Sequence, residues 1–206
     1  MLYYKTIEPA TLGILKKIQR IDIFSNLRLV GGTALALQIG HRKSIDLDFF
    51  GIIENENIEI TIALEKIGKV NIIKNSKSIN IYTIDNIKVD IVNYPYHWLE
   101  KPNTEDNLFL AGLKDIAAMK LAAISGRGTK KDFFDLYFLL QNFTLEEMLN
   151  FYEQKFPSGS VFLVIKSLLY FIDADKSEQP EMIISADWSE VKRTIEYTLE
   201  NYIKTK

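Results

Sequence analysis

The chain has 206 residues, no cysteine, two histidines and a formal net charge of −2. The lack of cysteine excludes disulfides and thiolate chemistry, the two histidines disfavour a structural zinc site, and the slight negative charge argues against broad, charge-driven binding of nucleic acid. Hydrophobic residues make up 47% of the chain, yet no apolar run approaches the ~18 residues of a membrane span, so we expect a cytoplasmic protein with a substantial core and no membrane contact.

The first half of the chain alternates between helical and strand patterns, as in a mixed α/β domain. A short strand ends at Gly31-Gly32, and Thr33 is predicted to cap the helix that follows, which Gly40 ends. A tight hairpin turn is predicted at 84–86, between the last two strands. The predicted helices cover 11–21, 34–39 and 58–68, and the predicted strands cover 27–30, 45–50, 69–74, 79–84 and 87–92.

The second half of the chain is predicted to be helical after a connector that contains two prolines. The predicted helices cover 113–125, 130–141, 145–156, 161–172 and 189–203. Residues 161–172 are apolar enough to predict a buried helix. We therefore predict an α/β (α+β) fold, with a mixed sheet and flanking helices in residues 1–100 and a helical lobe in residues 101–206.

Two aspartates lie in the predicted strand at the centre of the first half. Side chains two residues apart on a strand point to the same face, roughly 7 Å apart at their bases, so Asp46 and Asp48 are predicted to project together. Ile45, Leu47 and Phe49 are predicted to pack on the other face. Carboxylates among apolar residues are costly unless they are compensated, and two on one edge suit a divalent cation that bridges phosphate oxygens.

A third carboxylate, Asp90, is surrounded by apolar residues on a later predicted strand. If that strand is a neighbour, Asp90 completes a metal site for in-line phosphoryl or nucleotidyl displacement. The simpler alternative is a charge at the edge of a sheet. The Asp-x-Asp motif is also weak by itself, because a second one, Asp173-Ala-Asp175, lies in a predicted solvated loop.

Gly31 and Gly32 lie between a predicted strand and a predicted helix. Backbone N–H groups at a helix start bind phosphate oxygens, and glycine permits the close approach that a Cβ blocks. Arg42 has the chemistry of a triphosphate clamp. A plain glycine turn and a solvated loop arginine are the alternatives, but the order of strand, Gly-Gly, helix, Asp-x-Asp and a later lone Asp indicates nucleotide binding or catalysis.

Two segments carry a resemblance to a known family. They read "GGTALAL…GHRKSIDLDFF" within residues 31–50 and "DIAAMKLAAISGRGTKKDFFDLYFLL" at 115–140. The likeness covers roughly residues 27–140, and it is to the AbiEii/AbiGii-type nucleotidyltransferase toxins of the polymerase-β-like nucleotidyltransferase superfamily.

The resemblance implies metal-dependent transfer of a nucleotide from an NTP to an acceptor, with Mg²⁺ or Mn²⁺ as cofactor and the helical lobe completing the active-site cleft. The matched positions fall into a triphosphate group, a metal group and a catalytic group. By resemblance these are Gly31, Gly32, Thr33 and Ser44 for the triphosphate, Asp46, Asp48 and Asp90 for the metal, and Asp46, Asp48, Lys120 and Asp132 for catalysis. Without the resemblance, Lys120 is a surface lysine, and Asp132 and Asp135 pair with Lys131 or Arg127.

The resemblance also implies the toxin of a toxin–antitoxin or abortive-infection system. Its expected partners are an NTP, an RNA acceptor such as tRNA or a protein acceptor, and a cognate antitoxin. Two other functions stay open, namely transfer to a small molecule of the aminoglycoside type and a non-catalytic NTP-binding module. Asp46 and Asp48 argue against the module, because a protein without turnover has no use for costly carboxylates.

Overall fold

The computed structural model describes residues 1–205, which separate into two compact units. The first unit comprises Met1–Tyr96 and Lys101–Ala111, and the second comprises His97–Glu100 and the chain from Gly112 onward. The division is therefore not a single cut at residue 100, because Lys101–Ala111 returns to the sheet of the first unit while His97–Glu100 belongs to the second.

A mixed sheet forms the centre of the first unit. Its strands are β1 (Arg28–Val30), β2 (Leu47–Gly51), β3 (Val70–Lys74), β4 (Ile79–Ile84), β5 (Ile87–Asn93), β6 (Asn103–Glu105) and β7 (Leu108–Leu110). Within residues 1–205 these seven strands lie in the order β3-β4-β5-β2-β1-β7-β6. β2 runs parallel to β5 and antiparallel to β1, and β1 runs parallel to β7. The predicted mixed α/β fold is confirmed.

Local turn and cap chemistry explains where the predicted elements end. The helices of the first unit are α1 (Pro9–Ile18), α2 (Gly31–Ile39) and α3 (Asn57–Glu65). Asp85 and Asn86 have φ angles of 49° and 68°, as a two-residue hairpin turn of the type I′ kind requires, and Gly40 ends α2 with a φ of 74°. Thr33 does not cap α2, because the helix already begins at Gly31, two residues earlier.

The hairpin of β6 and β7 was not predicted from the sequence. Each strand has three residues, and the turn between them has Asp106 and Asn107 at φ angles of 54° and 60°. Strands this short carry too few residues for alternation to be recognised, and a preceding proline indicated a connector. Pairing of β7 with β1 brings this hairpin into the sheet.

The second unit is helical, as predicted. Its helices are α4 (Leu113–Gly126), α5 (Lys130–Leu139), α6 (Leu145–Lys155), α7 (Val161–Ser167), α8 (Ile172–Lys176) and α9 (Trp188–Lys204). Asp173 and Asp175 therefore lie on a short helix instead of in a loop. In residues 1–205, each helix falls short of the length and apolar character needed to cross a membrane.

The prediction of one buried helix over residues 161–172 is wrong. The segment divides into α7 and the start of α8, and it buries only one stripe of side chains, at Val164, Leu168 and Phe171. Phe162 is 73% exposed and Ile172 is 57% exposed. Apolar composition indicated burial on all sides, but a helix that packs on one side only leaves its other side chains in solvent.

Candidate active site

Asp48 lies at the centre of the sheet, between two strands. On β1 its register partner is Val30, and on the parallel strand β5 its partner is Asp90. Register partners on adjacent strands point to the same face and are about 4.8 Å apart. Both aspartates are partly buried. The expected neighbourhood of Asp48 and Asp90 is therefore present in the fold.

The strand that carries the Asp-x-Asp motif is shorter than predicted. β2 begins at Leu47, so Asp46 lies one residue before the ladder. Leu47 and Phe49 are fully buried, as expected for the opposite face, but Ile45 is 65% exposed and does not pack there. The structure thus retains the alternation around Asp48 and places Asp46 where the chain enters the strand.

Gly31 permits the Asp48 carboxylate to reach the start of α2. Its φ angle is 67°, a backbone conformation that residues with a side chain rarely adopt. A Cβ at this position would also lie 2.6 Å from Asp48 Oδ2. Any larger residue would therefore collide with the carboxylate as well as strain the backbone. The first N–H groups of a helix attract anions, so this corner of the fold suits phosphate oxygens and a cation held by Asp48.

Gly32 leaves room for the Arg42 guanidinium. A Cβ on Gly32 would lie 2.1 Å from Arg42 Nη2 and 3.5 Å from Ser44 Oγ. Arg42 is 4% exposed and its Nη1 donates to the backbone carbonyl of Lys43 at 2.8 Å. The arginine is therefore a packed, oriented cation beside the glycine turn and differs from the solvated loop arginine that the sequence left open.

Thr33 ties the loop before β2 to the first turn of α2. Its hydroxyl lies 2.8 Å from Ser44 Oγ and also contacts the backbone carbonyl oxygen of Asp46. Thr33 is buried, so these contacts are shielded from water. The structure thus brings together the predicted residues of the first unit. They are Gly31, Gly32, Thr33, Arg42, Ser44, Asp46 and Asp48 around the start of α2, with Asp90 opposite Asp48 on β5.

Replacing Gly32 with valine is expected to weaken NTP binding at least tenfold (about 1.4 kcal/mol). The added carbons must displace the Arg42 guanidinium, and they block backbone approach to phosphate. A nucleotide titration beside a melting curve measures both effects. Gly13→Ala is the matched control, since a Cβ on Gly13 meets no atom within 4 Å and helix α1 gains from alanine. Unchanged NTP affinity in Gly32→Val would contradict this assignment.

Asp90 forms an ion pair with Lys88, a residue that was not predicted from the sequence to have a role. Lys88 Nζ lies 2.6 Å from both carboxylate oxygens of Asp90, two residues away on the same face of β5. In the described part of the chain, residues 1–205, no group of three His, Cys, Asp or Glu side chains is arranged to hold a metal ion. Asp90 as a third metal ligand therefore stays a prediction.

The donor set of the first unit nevertheless fits a magnesium ion. Mg²⁺ is commonly held by one or two carboxylates, with water and substrate phosphates as its other ligands, instead of by a cage of protein atoms. Asp46 and Asp48 supply the carboxylates. The absence of a Cβ at Gly31 lets the Asp48 carboxylate lie against the first turn of α2, where helix N–H groups attract phosphate oxygens.

Lys120 lies inside the second unit and is not on its surface. Its side chain is 8% exposed, and Nζ lies 2.9 Å from Asp132 Oδ1 and 2.6 Å from Asp135 Oδ2. Asp132 Oδ2 accepts hydrogen bonds from the backbone N–H and hydroxyl of Thr129, in a capping box that opens α5. Arg127, the alternative partner, is 71% exposed and 4.0 Å away. The two aspartates therefore pair mainly with Lys120.

The environment of Asp132 lowers the pKa of its carboxyl group. Burial alone raises this pKa, but the charge of Lys120 and the hydrogen bonds from Thr129 and Lys120 outweigh it. Because the pKa is lower in the folded than in the unfolded state, ionised Asp132 stabilises the fold above the unfolded value of about 3.9. That contribution is lost as the pH falls through the folded value.

Asp132→Asn is therefore expected to reduce the pH dependence of stability in acid. The wild-type protein should lose about 1–3 kcal/mol more unfolding free energy than the variant between about pH 5 and pH 2.5. Urea unfolding at several pH values measures the difference. Glu153→Gln, an exposed carboxyl on α6, is the control and should follow the wild type. Parallel curves for wild type and Asp132→Asn would show that this carboxyl is not linked to folding.

A second buried ion pair in the second unit was also not predicted. Lys155 and Asp115 are fully buried, with Nζ and Oδ1 2.6 Å apart. Lys155 also donates to the backbone carbonyl of His97 and lies 4.5 Å from the ring centroid of Trp98, while Asp115 Oδ1 accepts from the Leu99 N–H. The pair anchors residues 97–100 to α4 and α6. No local pattern connects residues forty positions apart.

Comparison with known proteins identifies the family of this chain. A family model described as the nucleotidyl transferase AbiEii toxin of a type IV toxin–antitoxin system matches residues 13–204. An uncharacterised protein of Aquifex aeolicus strain VF5 is 35% identical over 196 residues, which cover 92% of this chain and 94% of that protein.

Two solved structures share the fold at low sequence identity. MenT4, a nucleotidyltransferase toxin of Mycobacterium tuberculosis H37Rv, has a TM-score of 0.60 and 16% identity, covering 93% of this chain and 82% of that one. The antibiotic-resistance factor ANT(2'')-Ia has a TM-score of 0.55 and 12% identity, covering 68% of this chain and 86% of that one. With a family match over most of its length, the chain is a nucleotidyltransferase that belongs to the AbiEii toxins of type IV toxin–antitoxin systems.

Proposed function

We propose that this nucleotidyltransferase is metal-dependent and transfers a nucleotide from an NTP to RNA, with tRNA as the first acceptor to test. The observation that carries the proposal is the position of the Asp48 carboxylate against Gly31 at the start of α2, with Asp46 at the entry of the same strand. Carboxylates and free helix N–H groups meet there, which is the combination that a metal-bound triphosphate requires.

Each residue of the first unit has a separate task in this proposal. Backbone N–H groups at Gly31, Gly32 and Thr33 donate hydrogen bonds to phosphate oxygens, and Arg42 adds a fixed positive charge beside them. Asp46 and Asp48 hold Mg²⁺ or Mn²⁺, which when bound neutralises charge on the phosphates. The Thr33 contacts to Ser44 and to the Asp46 backbone keep the carboxylates in register with the glycines.

The transfer itself forms a bond between an acceptor oxygen and the α-phosphorus of the NTP and releases pyrophosphate. Preorganised positive groups are what such a reaction needs, because negative charge builds on the phosphoryl oxygens. From the second unit we assign Lys120 to the stabilisation of this charge and Asp132 to the orientation of Lys120. The 2.9 Å ion pair between them supports the orienting role of Asp132.

The biological setting of the proposal follows from the family. As the toxin of a toxin–antitoxin or abortive-infection system, the enzyme would be countered by a cognate antitoxin, and NTP and tRNA as substrates place the reaction in the cytoplasm. A negative net charge does not favour RNA by long-range attraction. A protein acceptor and a small molecule of the aminoglycoside type are therefore separate arms of the test.

The test is incubation with NTPs labelled at the α-phosphate, Mg²⁺ and separate pools of total RNA, protein and aminoglycosides. We expect label in RNA, most of it in the tRNA fraction, and none when the label is on the γ-phosphate. Label transferred from the γ-phosphate would indicate a phosphotransferase. Labelling of only the protein or aminoglycoside pool would overturn the RNA assignment, and no labelling in any pool would overturn the proposal.

A further inference from the structure

We propose that Lys88 is a positioning residue whose ammonium forms a permanent ion pair with Asp90, in place of a metal ion. In this arrangement Asp46 and Asp48 hold the divalent metal of the transfer reaction without Asp90. The inference rests on the proposed function for the metal site, and it goes beyond it by assigning a role to a lysine and by removing one carboxylate from the ligands.

The contacts of Lys88 with Asp90 engage the whole carboxylate. Both carboxylate oxygens lie 2.6 Å from Lys88 Nζ, the distance of short, charge-assisted hydrogen bonds. The Lys88 side chain is 41% exposed and the Asp90 side chain is 18% exposed, so the ammonium shields the Asp90 carboxylate from solvent. A metal ion at the same oxygens would face the ammonium at contact range, which Coulomb repulsion opposes.

The register of the sheet places this pair next to the Asp-x-Asp motif. Leu47 pairs with Val89 on the parallel strands β2 and β5. Asp46 and Lys88 therefore each precede that pair by one residue, while Asp48 and Asp90 each follow it. The segment with Asp46 and Asp48 thus runs beside the segment with Lys88 and Asp90, and Asp48 and Asp90 point to the same face of the sheet.

The Lys88 ammonium also offsets repulsion between two carboxylates on neighbouring strands. Asp48 and Asp90 are register partners on β2 and β5, and like charges at this spacing destabilise one another. The ion pair of Lys88 with Asp90 reduces this repulsion without a metal ion.

The experiment is a titration with Mn²⁺ alone, without nucleotide, in which electron paramagnetic resonance measures the concentration of the free ion. Lys88→Met is expected to bind Mn²⁺ about tenfold more tightly than wild type, because Asp90 becomes available as a third carboxylate (about 1.4 kcal/mol). Asp90→Asn leaves the Lys88 ammonium without its carboxylate, so it should weaken Mn²⁺ binding, but by less than Asp48→Asn does. The double variant Lys88→Met/Asp90→Asn should lose the gain of the single Lys88 variant.

The controls separate this inference from the proposed metal site. Lys74→Met removes an exposed lysine from the edge strand β3 and should leave Mn²⁺ affinity unchanged. Melting temperatures should change little, since partly exposed ion pairs contribute about 1 kcal/mol or less. Unchanged or weaker Mn²⁺ binding in Lys88→Met, or weakening in Asp90→Asn as large as in Asp48→Asn, would overturn the role of Lys88. Wild-type Mn²⁺ affinity in Asp48→Asn would instead overturn the metal site itself.

Discussion

Asp48→Asn is expected to abolish nucleotide transfer, with a loss of about 10³-fold or more in rate. The substitution removes one of two carboxylates proposed to hold the metal and places a neutral amide against Gly31, where the cation and the triphosphate meet. Asp46→Asn should have the same effect through the second carboxylate. Rates at saturating NTP and Mg²⁺, measured with α-labelled nucleotide, test both variants.

The fold of Asp48→Asn should remain intact. Asp48 is the register partner of Asp90, so removing its charge relieves repulsion between neighbouring carboxylates and should leave the melting temperature unchanged or raised. Asp173→Asn is the matched control, because it changes the second Asp-x-Asp motif, on the exposed face of α8. Transfer at the wild-type rate in either Asp46→Asn or Asp48→Asn would refute the metal assignment.

Lys120→Ala is expected to lower both stability and rate. The variant leaves Asp132 and Asp135 buried without the ammonium that contacts both, and breaking such a pair costs about 3–5 kcal/mol of unfolding free energy. If Lys120 also stabilises charge in the transfer reaction, the rate per folded molecule should fall about 10²-fold. Lys120→Arg should recover only part of the rate, because a planar guanidinium does not replace a compact ammonium in a tight site.

A second buried lysine separates these two effects. Lys155→Met breaks the fully buried pair with Asp115, so it should cost a similar amount of stability while the rate per folded molecule stays near wild type. Urea unfolding gives the folded fraction, and turnover is normalised to it. Equal losses of rate in Lys120→Ala and Lys155→Met after normalisation would mean that Lys120 has a structural role alone.

Local sequence was sufficient for most of the first unit. Alternating apolar residues predicted β4 and β5, turn residues predicted the hairpin at Asp85-Asn86, and Gly40 predicted the end of α2. These features depend on the conformational preferences of a few consecutive residues, which each stretch of sequence carries with it. Gly31 and Asp48 could be chosen as site residues for the same reason, because the chemistry of a glycine turn and of a carboxylate in an apolar strand is local.

Other features depended on which segments become neighbours in the folded chain. The sequence showed Asp48 and Asp90 as separate carboxylates, and only the pairing of β2 with β5 made them register partners. In the sequence Lys88 resembled any other charged residue on a strand, and its ion pair with Asp90 was recognised only in the structure.

Burial in the second unit was likewise decided by tertiary packing. Lys120 was expected on the surface because it is a lysine, but it lies four residues from Ile116 and from Ile124 on the buried face of α4, where the packing of α5 places two carboxylates beside it. The sequence by itself thus determined the first five strands, the turn at Asp85-Asn86 and the residue types proposed to carry nucleotide chemistry. The tertiary structure decided which charges meet, because the energy of a buried charge is set by partners distant along the chain.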